Sequence, residues 1–357
     1  MKFSNRSTLK CLSIVIVILG MFPYSVQAKA DEGRILNVVA TLPDYACIVR
    51  AIGGNRVSVS SIVSANQDAH FIRPKPSFIR KVKHAELLVT TGLDLELWLP
   101  SIVNRSGNRN IASGNDGYVA AAQGVFMLDV PEVVSRSEGG LHLYGNPHIT
   151  SSPLNMRVVA KNICTGLIKN LPMYADEFTQ AKIDYIRKLD EMLYGSDLVK
   201  MLGGDLLSDL AVKGRLIPFL KEKSFKGKPL LNFLGGQLKK ALPLRNLPIV
   251  TYHENWVYFS KLLGLNVVAT LEPKPGIPPS ARHKLKILRI IKENNVKVIF
   301  SANYFNSRLI DSVAGQTGAK AVVVPVYAGG SSETQTYCNL FSYWVNSLVV
   351  AFEKKGM

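Results

Sequence analysis

Three of the six histidines stand where a metal could be held. His70 closes the run Gln67-Asp68-Ala69-His70, His148 follows Asn146-Pro147, and His253 follows Ile249-Val250-Thr251-Tyr252. Neutral imidazole is a common ligand for zinc and related divalent metals. Three such nitrogens, with a fourth position open or filled, suit tetrahedral Zn²⁺. The three lie far apart along the chain, so spacing alone does not join them. The competing reading is of satisfied or surface histidines. His84 lies among Lys81, Lys83 and Glu86, and His283 beside Arg282 and Lys284; both read as solvated surface residues. His142, six residues before His148, reads as loop decoration, with help in metal entry as the alternative. Asp94 and Glu96 read as caps of a helix after Gly92 rather than an acid/base pair.

The elements that must position these rings alternate between strand and helix. Leu36 to Thr41 is a β-branched run leading into a helix over Tyr45 to Ile52, which Gly53-Gly54 stops. Arg56 to Val63 alternates as a half-buried strand, and Pro76 to Lys83 reads as helix. Glu86 to Thr91 is a further strand, a helix starts near Asp94, and Gly124 to Val130 closes this set. Ser152 to Leu171 is helical, and Met173 to Tyr194 is a second helix with apolar residues at helical period. Residues 197–246 read as short helices and loops. A second set follows, with strands at Leu247 to His253, Asn266 to Leu271, Val296 to Ser301 and Lys320 to Val324. Helices lie between them, and a last one spans Glu333 to Lys354. A stiff proline-rich loop, residues 273–279, precedes the helix that Ser280 caps. The alternation predicts α/β lobes with mainly parallel sheets. Ligands of such sheets bind at the carboxyl ends of the strands, where His253 stands and near which His70 falls. Tyr337, Phe341 and Trp344 read as packing; Trp256 either walls a cleft or joins the core.

The chain has 357 residues, 47% hydrophobic and 19% charged, which excludes disordered and collagen-like classes. Its formal net charge of +17 comes from scattered Lys and Arg with no aromatic-interleaved basic motif, which argues against nucleic acid. Lys2, Arg6 and Lys10 precede the apolar run Leu12 to Phe22, and Val26-Gln27-Ala28 fits a cleavage site. This predicts a signal peptide cleaved near Ala28 and a location in the periplasm or another exported envelope space; an uncleaved anchor is the alternative. Cys11 precedes the apolar run, so lipidation there is not expected. Cys47, Cys164 and Cys338 read as buried thiols, with one disulfide unassigned but open.

The sequence resembles the zinc/manganese solute-binding proteins of ABC importers, the cluster A-I periplasmic metal-binding family. The matching stretches run in order through nearly the whole mature chain: Val38 to Pro43, Ile52 to Val57, Asp68-Ala69-His70, Thr91 to Glu96, Gly145-Asn146-Pro147-His148, Thr251-Tyr252-His253 and Thr317 to Lys320. The resemblance implies two α/β lobes joined by one long helix, with a metal cleft between them. The division is a signal peptide over 1–28, an N-terminal lobe over 29–172, a connecting helix over 173–196 and a C-terminal lobe over 197–357. It implies His70, His148 and His253 as metal ligands. Histidine rather than glutamate at the third position favours zinc over manganese as the transported ion. It further implies a monomer that delivers a divalent metal to an inner-membrane ABC permease driven by a separate ATPase, and no enzymatic activity. The family's usual fourth ligand, an Asp after the last strand, aligns with Pro325, which has no ligating side chain. Water, or a carboxylate from Asp68, Glu254 or Glu272, is then expected in that place. The family's frequent His-rich loop is absent, since residues 101–147 hold only His142. Two other classes stay open on the residues: an exported zinc-dependent hydrolase-like enzyme, although no H-E-x-x-H motif is present, and a metal-binding surface adhesin of the same fold.

Overall fold

β1 (Leu36–Ala40) is buried along almost its whole length, as a continuous apolar run in a central parallel strand should be. It leads through α1 (Pro43–Gly53) to β2 (Val57–Ser61), an edge strand that is only partly buried. α2 (Pro76–Lys83), β3 (Leu87–Thr90), α3 (Leu99–Ser106) and β4 (Tyr118–Ala120) complete a parallel sheet of order β2-β1-β3-β4. The computed structural model describes residues 33–131, 142–274 and 276–353; the expected signal peptide lies outside them. Gly124 to Val130, expected to close the set, does not supply its last strand. Tyr118–Ala120 pairs with β3 instead, and residues 124–130 run as turn and irregular chain from Gly124, whose φ is +79°. A three-residue strand is too short to show a period of two in the sequence. The helix expected from Asp94 starts at Leu99, where Pro100 fits the first turn, and a 3₁₀ turn covers Asp94–Glu96.

α4 (Pro153–Asn170) is capped by Ser152, whose hydroxyl accepts from the Leu154 N–H. α5 (Ala175–Tyr194) follows and ends at Gly195 with φ +85°. The segment expected as short helices holds α6 (Ser196–Leu202), α7 (Gly204–Val212) and α8 (Leu216–Glu222), a two-residue-strand hairpin of β5 (Ser224–Phe225) and β6 (Lys228–Pro229), and α9 (Gly236–Ala241). The second parallel sheet, of order β10-β9-β7-β8, then forms. Its elements are β7 (Pro248–Thr251), α10 (Val257–Leu263), β8 (Asn266–Thr270), α11 (Ala281–Glu293), β9 (Val298–Ala302), α12 (Ser307–Thr317) and β10 (Lys320–Val324). The last helix, α13 (Tyr337–Glu353), starts four residues later than expected because a 3₁₀ turn with its own capping box, Ser332–Thr334, precedes it. Trp256 is core: its ring lies 4.4 Å from Phe300 and 5.0 Å from Trp344. Cys47, Cys164 and Cys338 are free thiols.

The two sheets are fastened to each other by specific hydrogen bonds. The Ala328 N–H donates to Asp44 Oδ1 at 2.7 Å, joining α1 to the loop after β10. Tyr337 Oη donates to the Thr150 carbonyl at 2.8 Å, and Asn303 Nδ2 to Asn66 Oδ1 at 2.6 Å. Asp44 is fully buried, and burial pushes its carboxyl up to about 7 despite the Ala328 bond and the Thr150 hydroxyl. A carboxyl whose pKa is higher in the folded than the unfolded chain binds protons more tightly when folded. Its contribution is whole below the unfolded value of about 3.9 and is lost as pH rises toward 7. The Asp44→Asn variant keeps the acceptor oxygen and removes this titration. Denaturant melts of wild type should lose stability relative to that variant between about pH 4 and pH 7; parallel curves would show that Asp44 does not titrate there.

Candidate metal centre

His70 sits in a 3₁₀ turn, Ala69–Phe71, reached from the carboxyl end of β2. The β1–β2 ladder continues past the strand, with Ile62 N–H on Ala40 O and Val63 N–H on Thr41 O. Asp68 starts the turn, and its Oδ1 accepts from both the His70 backbone N–H and His70 Nδ1, each at 2.9 Å. Trp98 Nε1 donates to the Ala69 carbonyl at 2.7 Å and pins the turn from outside. Burial alone would raise the Asp68 carboxyl, but the hydrogen bond and charge of His70 outweigh it, and its pKa is lowered. With Nδ1 occupied, the free lone pair of His70 is on Nε2.

His148 is placed by an Asn turn. Asn146 Oδ1 accepts from the His148 N–H at 3.1 Å, while the Asn146 N–H donates to the Leu128 carbonyl at 2.7 Å. Gly145 lets the chain pass: its φ is +94°, and a Cβ there would come within 2.8 Å of the Leu128 carbonyl oxygen. Burial, and then the neighbouring His70, His253 and His142, push the His148 pKa well below its ordinary value, so this ring stays neutral.

His253 stands two residues past β7, at the switch between β7→β8 and β7→β9 in the second sheet. The β7–β8 ladder also runs on beyond its strands, and the Glu272 N–H donates to the Tyr252 carbonyl at 2.8 Å. This register sets Glu272 Oε2 3.0 Å from His253 Nδ1, while Oε1 accepts from the Gly276 N–H at 2.7 Å. A one-residue register shift between Ile249 and Val250 precedes this pairing.

One ring nitrogen from each of His70, His148 and His253 lies within 4.8 Å of the others. Ring centroids stand 5.0 Å apart for His70–His148, 5.6 Å for His70–His253 and 5.2 Å for His148–His253. Nε2 of both His148 and His253 is buried with no hydrogen-bond partner among the described residues. A buried imidazole nitrogen left unpaired is costly, and converging lone pairs are a donor set for a cation. Carboxylates behind two of the rings fix tautomer and orientation, as the outer shell of a metal site does.

The expected carboxylate ligands are placed elsewhere. Asp68 and Glu272 hold the far nitrogens of His70 and His253. Glu254 is exposed, and its carbonyl accepts from Asn146 Nδ2 at 2.9 Å. Pro325 is buried directly after β10, with its carbonyl accepting from Trp344 Nε1. Glu96 is not a cap but a buried acceptor for the Thr41 hydroxyl and for the Thr91 N–H and hydroxyl. Asp94 is not a cap either: its oxygens take His142 Nδ1 at 2.9 Å and the Leu143 N–H at 3.1 Å. His142 therefore lies against the cluster rather than decorating a loop, 5.4 Å from His70 and 5.8 Å from His148 between ring centroids. Nothing in its local sequence marked it; the only available signal was its proximity to Asn146-Pro147-His148.

The profile of the family described as "ZnuA: Zinc-uptake complex component A periplasmic" matches residues 38–193 and 235–351. The chain belongs to the ZnuA family. Among curated relatives it is 24% identical over 318 residues to the high-affinity zinc uptake system protein ZnuA of Bacillus subtilis, covering 87% of this chain and 85% of that one. It is 30% identical over 170 residues to the manganese ABC transporter substrate-binding lipoprotein PsaA of Streptococcus anginosus, covering 46% of this chain and 52% of that one. A crystal structure of ZnuA superposes with a TM-score of 0.64 at 20% identity, over 89% of this chain and 99% of that one. That likeness establishes the ZnuA-type pair of α/β lobes. Among the described residues no helix is long and apolar enough to cross a membrane.

Tyr258 ties the two sides of this ZnuA-family cleft. Its hydroxyl donates to the Asn146 carbonyl at 2.7 Å and accepts from the Leu128 N–H at 3.3 Å. The Tyr258→Phe variant should lose about 1–3 kcal/mol of stability, because one deletion strands a donor and an acceptor. Urea unfolding of the metal-free protein measures this; a change under a few tenths would show the bridge to be dispensable.

Proposed function

We propose that the protein is an exported solute-binding protein. In this reading it takes one divalent transition metal, zinc in preference to manganese, through His70, His148 and His253. It passes the ion to an ABC permease served by a separate ATPase and acts as a monomer without catalysing a reaction. The division carried from the sequence is a signal peptide removed near Ala28, a first lobe to residue 172, a connecting helix over 173–196 built on α5, and a second lobe from 197. The observation that carries the reading is the convergence of three imidazole nitrogens within 4.8 Å, two of them buried and unpartnered, from loops on two separate sheets. Family membership and the zinc-uptake and manganese-transport roles of its relatives support the cargo and the partner.

The physics favours a receptor that senses its own loading. A metal held by His70 and His148 on one side and His253 on the other binds the closed arrangement of lobes better than an open one. Loading therefore shifts the population toward the closed shape and adds stability by mass action. A permease can select that shape. The chain's positive charge opposes long-range attraction of cations, so capture rests on local donors. The carboxylates nearest the rings are engaged in holding them, which suits tight binding rather than activation of a water for hydrolysis.

Calorimetry with zinc should find one tight site per chain. Replacement of His70, His148 or His253 by Ala should weaken it strongly, and unchanged affinity in all three variants would refute the reading. Affinity should also fall as pH drops, since protons compete with the metal for the imidazole nitrogens. A flat titration between pH 8 and pH 5.5 would exclude histidine ligation.

A further inference from the structure

His142 shares the arrangement that marks His70 and His253. Its Nδ1 is held by Asp94 at 2.9 Å, as Asp68 holds Nδ1 of His70 and Glu272 holds Nδ1 of His253. A carboxylate acceptor keeps the proton on Nδ1 and leaves the lone pair on Nε2. The Nε2 atoms of His142 and His70 lie 3.5 Å apart, so two lone-pair atoms face each other. Nitrogens bound to one tetrahedral zinc at roughly 2.0–2.1 Å stand roughly 3.3–3.4 Å apart. Two such atoms at this separation gain nothing from each other but match two corners of a zinc tetrahedron. The ring of His142 is also only partly accessible, at 15% side-chain exposure, and stands edge-on to His148.

The backbone holds His142 in this place. The Gly145 N–H donates to the His142 carbonyl at 3.1 Å, closing a turn that leads straight into Asn146-Pro147-His148. Asp94 binds the ring and, through its other oxygen, the next backbone N–H. The same short segment thus brings two imidazoles, His142 and His148, beside His70. Pro325 offers no side-chain ligand after β10, so a fourth donor from the first lobe has no competitor there.

We propose that His142 is the fourth metal ligand, positioned by Asp94, giving a site of four neutral nitrogens. This rests on the reading of His70, His148 and His253 as ligands. An all-imidazole set suits zinc and other imidazole-preferring metals and disfavours manganese, which takes oxygen donors more readily. The first lobe then supplies three donors and the second lobe one, so His253 alone reports closure to the metal.

The test uses the full mature chain with zinc and cobalt(II) alone as probes. X-ray absorption of the zinc-loaded wild type should show four imidazole nitrogens; three imidazoles with one oxygen would overturn the proposal. The His142→Ala variant should bind zinc at least about 10- to 100-fold more weakly in chelator competition, and its cobalt(II) spectrum should shift. Asp94→Asn should give a smaller loss with the same spectral shift. Metal-free melting temperatures verify that each variant folds, and the absorption measurement on wild type stands even where one does not. If His70→Ala destroys binding while His142→Ala leaves affinity and spectrum unchanged, this inference fails and the three-histidine site survives. If all of these variants bind as wild type does, the metal-receptor reading itself fails.

Discussion

The structure depends on keeping imidazole lone pairs aimed at one point with their other nitrogens tied down. Two buried Nε2 atoms, on His148 and His253, have no partner among the described residues, and such atoms cost free energy in a water-poor interior. The fold tolerates them because the surrounding contacts over-determine their positions. Asp68 bonds both backbone and ring of His70, and Glu272 bonds both His253 and the Gly276 N–H. Each carboxylate is therefore fixed twice, and each ring inherits that rigidity.

The sheets supply the remaining precision. Parallel strands end at the same level, so loops leaving their carboxyl ends crowd into one crevice. The ladder of β1 and β2 runs on to Val63, and that of β7 and β8 to Glu272. These extensions carry order from the sheet into the loops that bear His70 and His253. On the opposite side, Tyr258, Asn146 and Glu254 link the His148 loop to the segment following His253. The two halves of the donor set are thus coupled through hydrogen bonds as well as through any shared ion.

Several features were readable in the residues. Asp68-Ala69-His70, Asn146-Pro147-His148 and Tyr252-His253 named the rings, and the alternation of apolar runs with helical stretches named the fold. The long helix ending at Gly195 and the Ser280 cap were visible because capping and helix termination are local chemistry. β4 went unmarked because three residues cannot display a strand period. Asp94 was misread because an acidic residue near a helix start looks like a cap, whatever distant ring it binds.

The chain by itself singled out His70, His148 and His253 and showed that Pro325 has no ligating side chain. It did so because side-chain chemistry and short-range periodicity are properties of neighbouring residues. Only the tertiary structure decided that Asp68 and Glu272 stand behind the rings of His70 and His253, and that His142 lies beside His70 and His148. Those outcomes turn on register: the unpaired Val268 of β8, opposite the step from Ile249 to Val250, shifts the β7–β8 pairing that later sets Glu272 beside His253. A slip of one residue reverses the face on which a side chain emerges, and that choice is made by the packing of whole sheets.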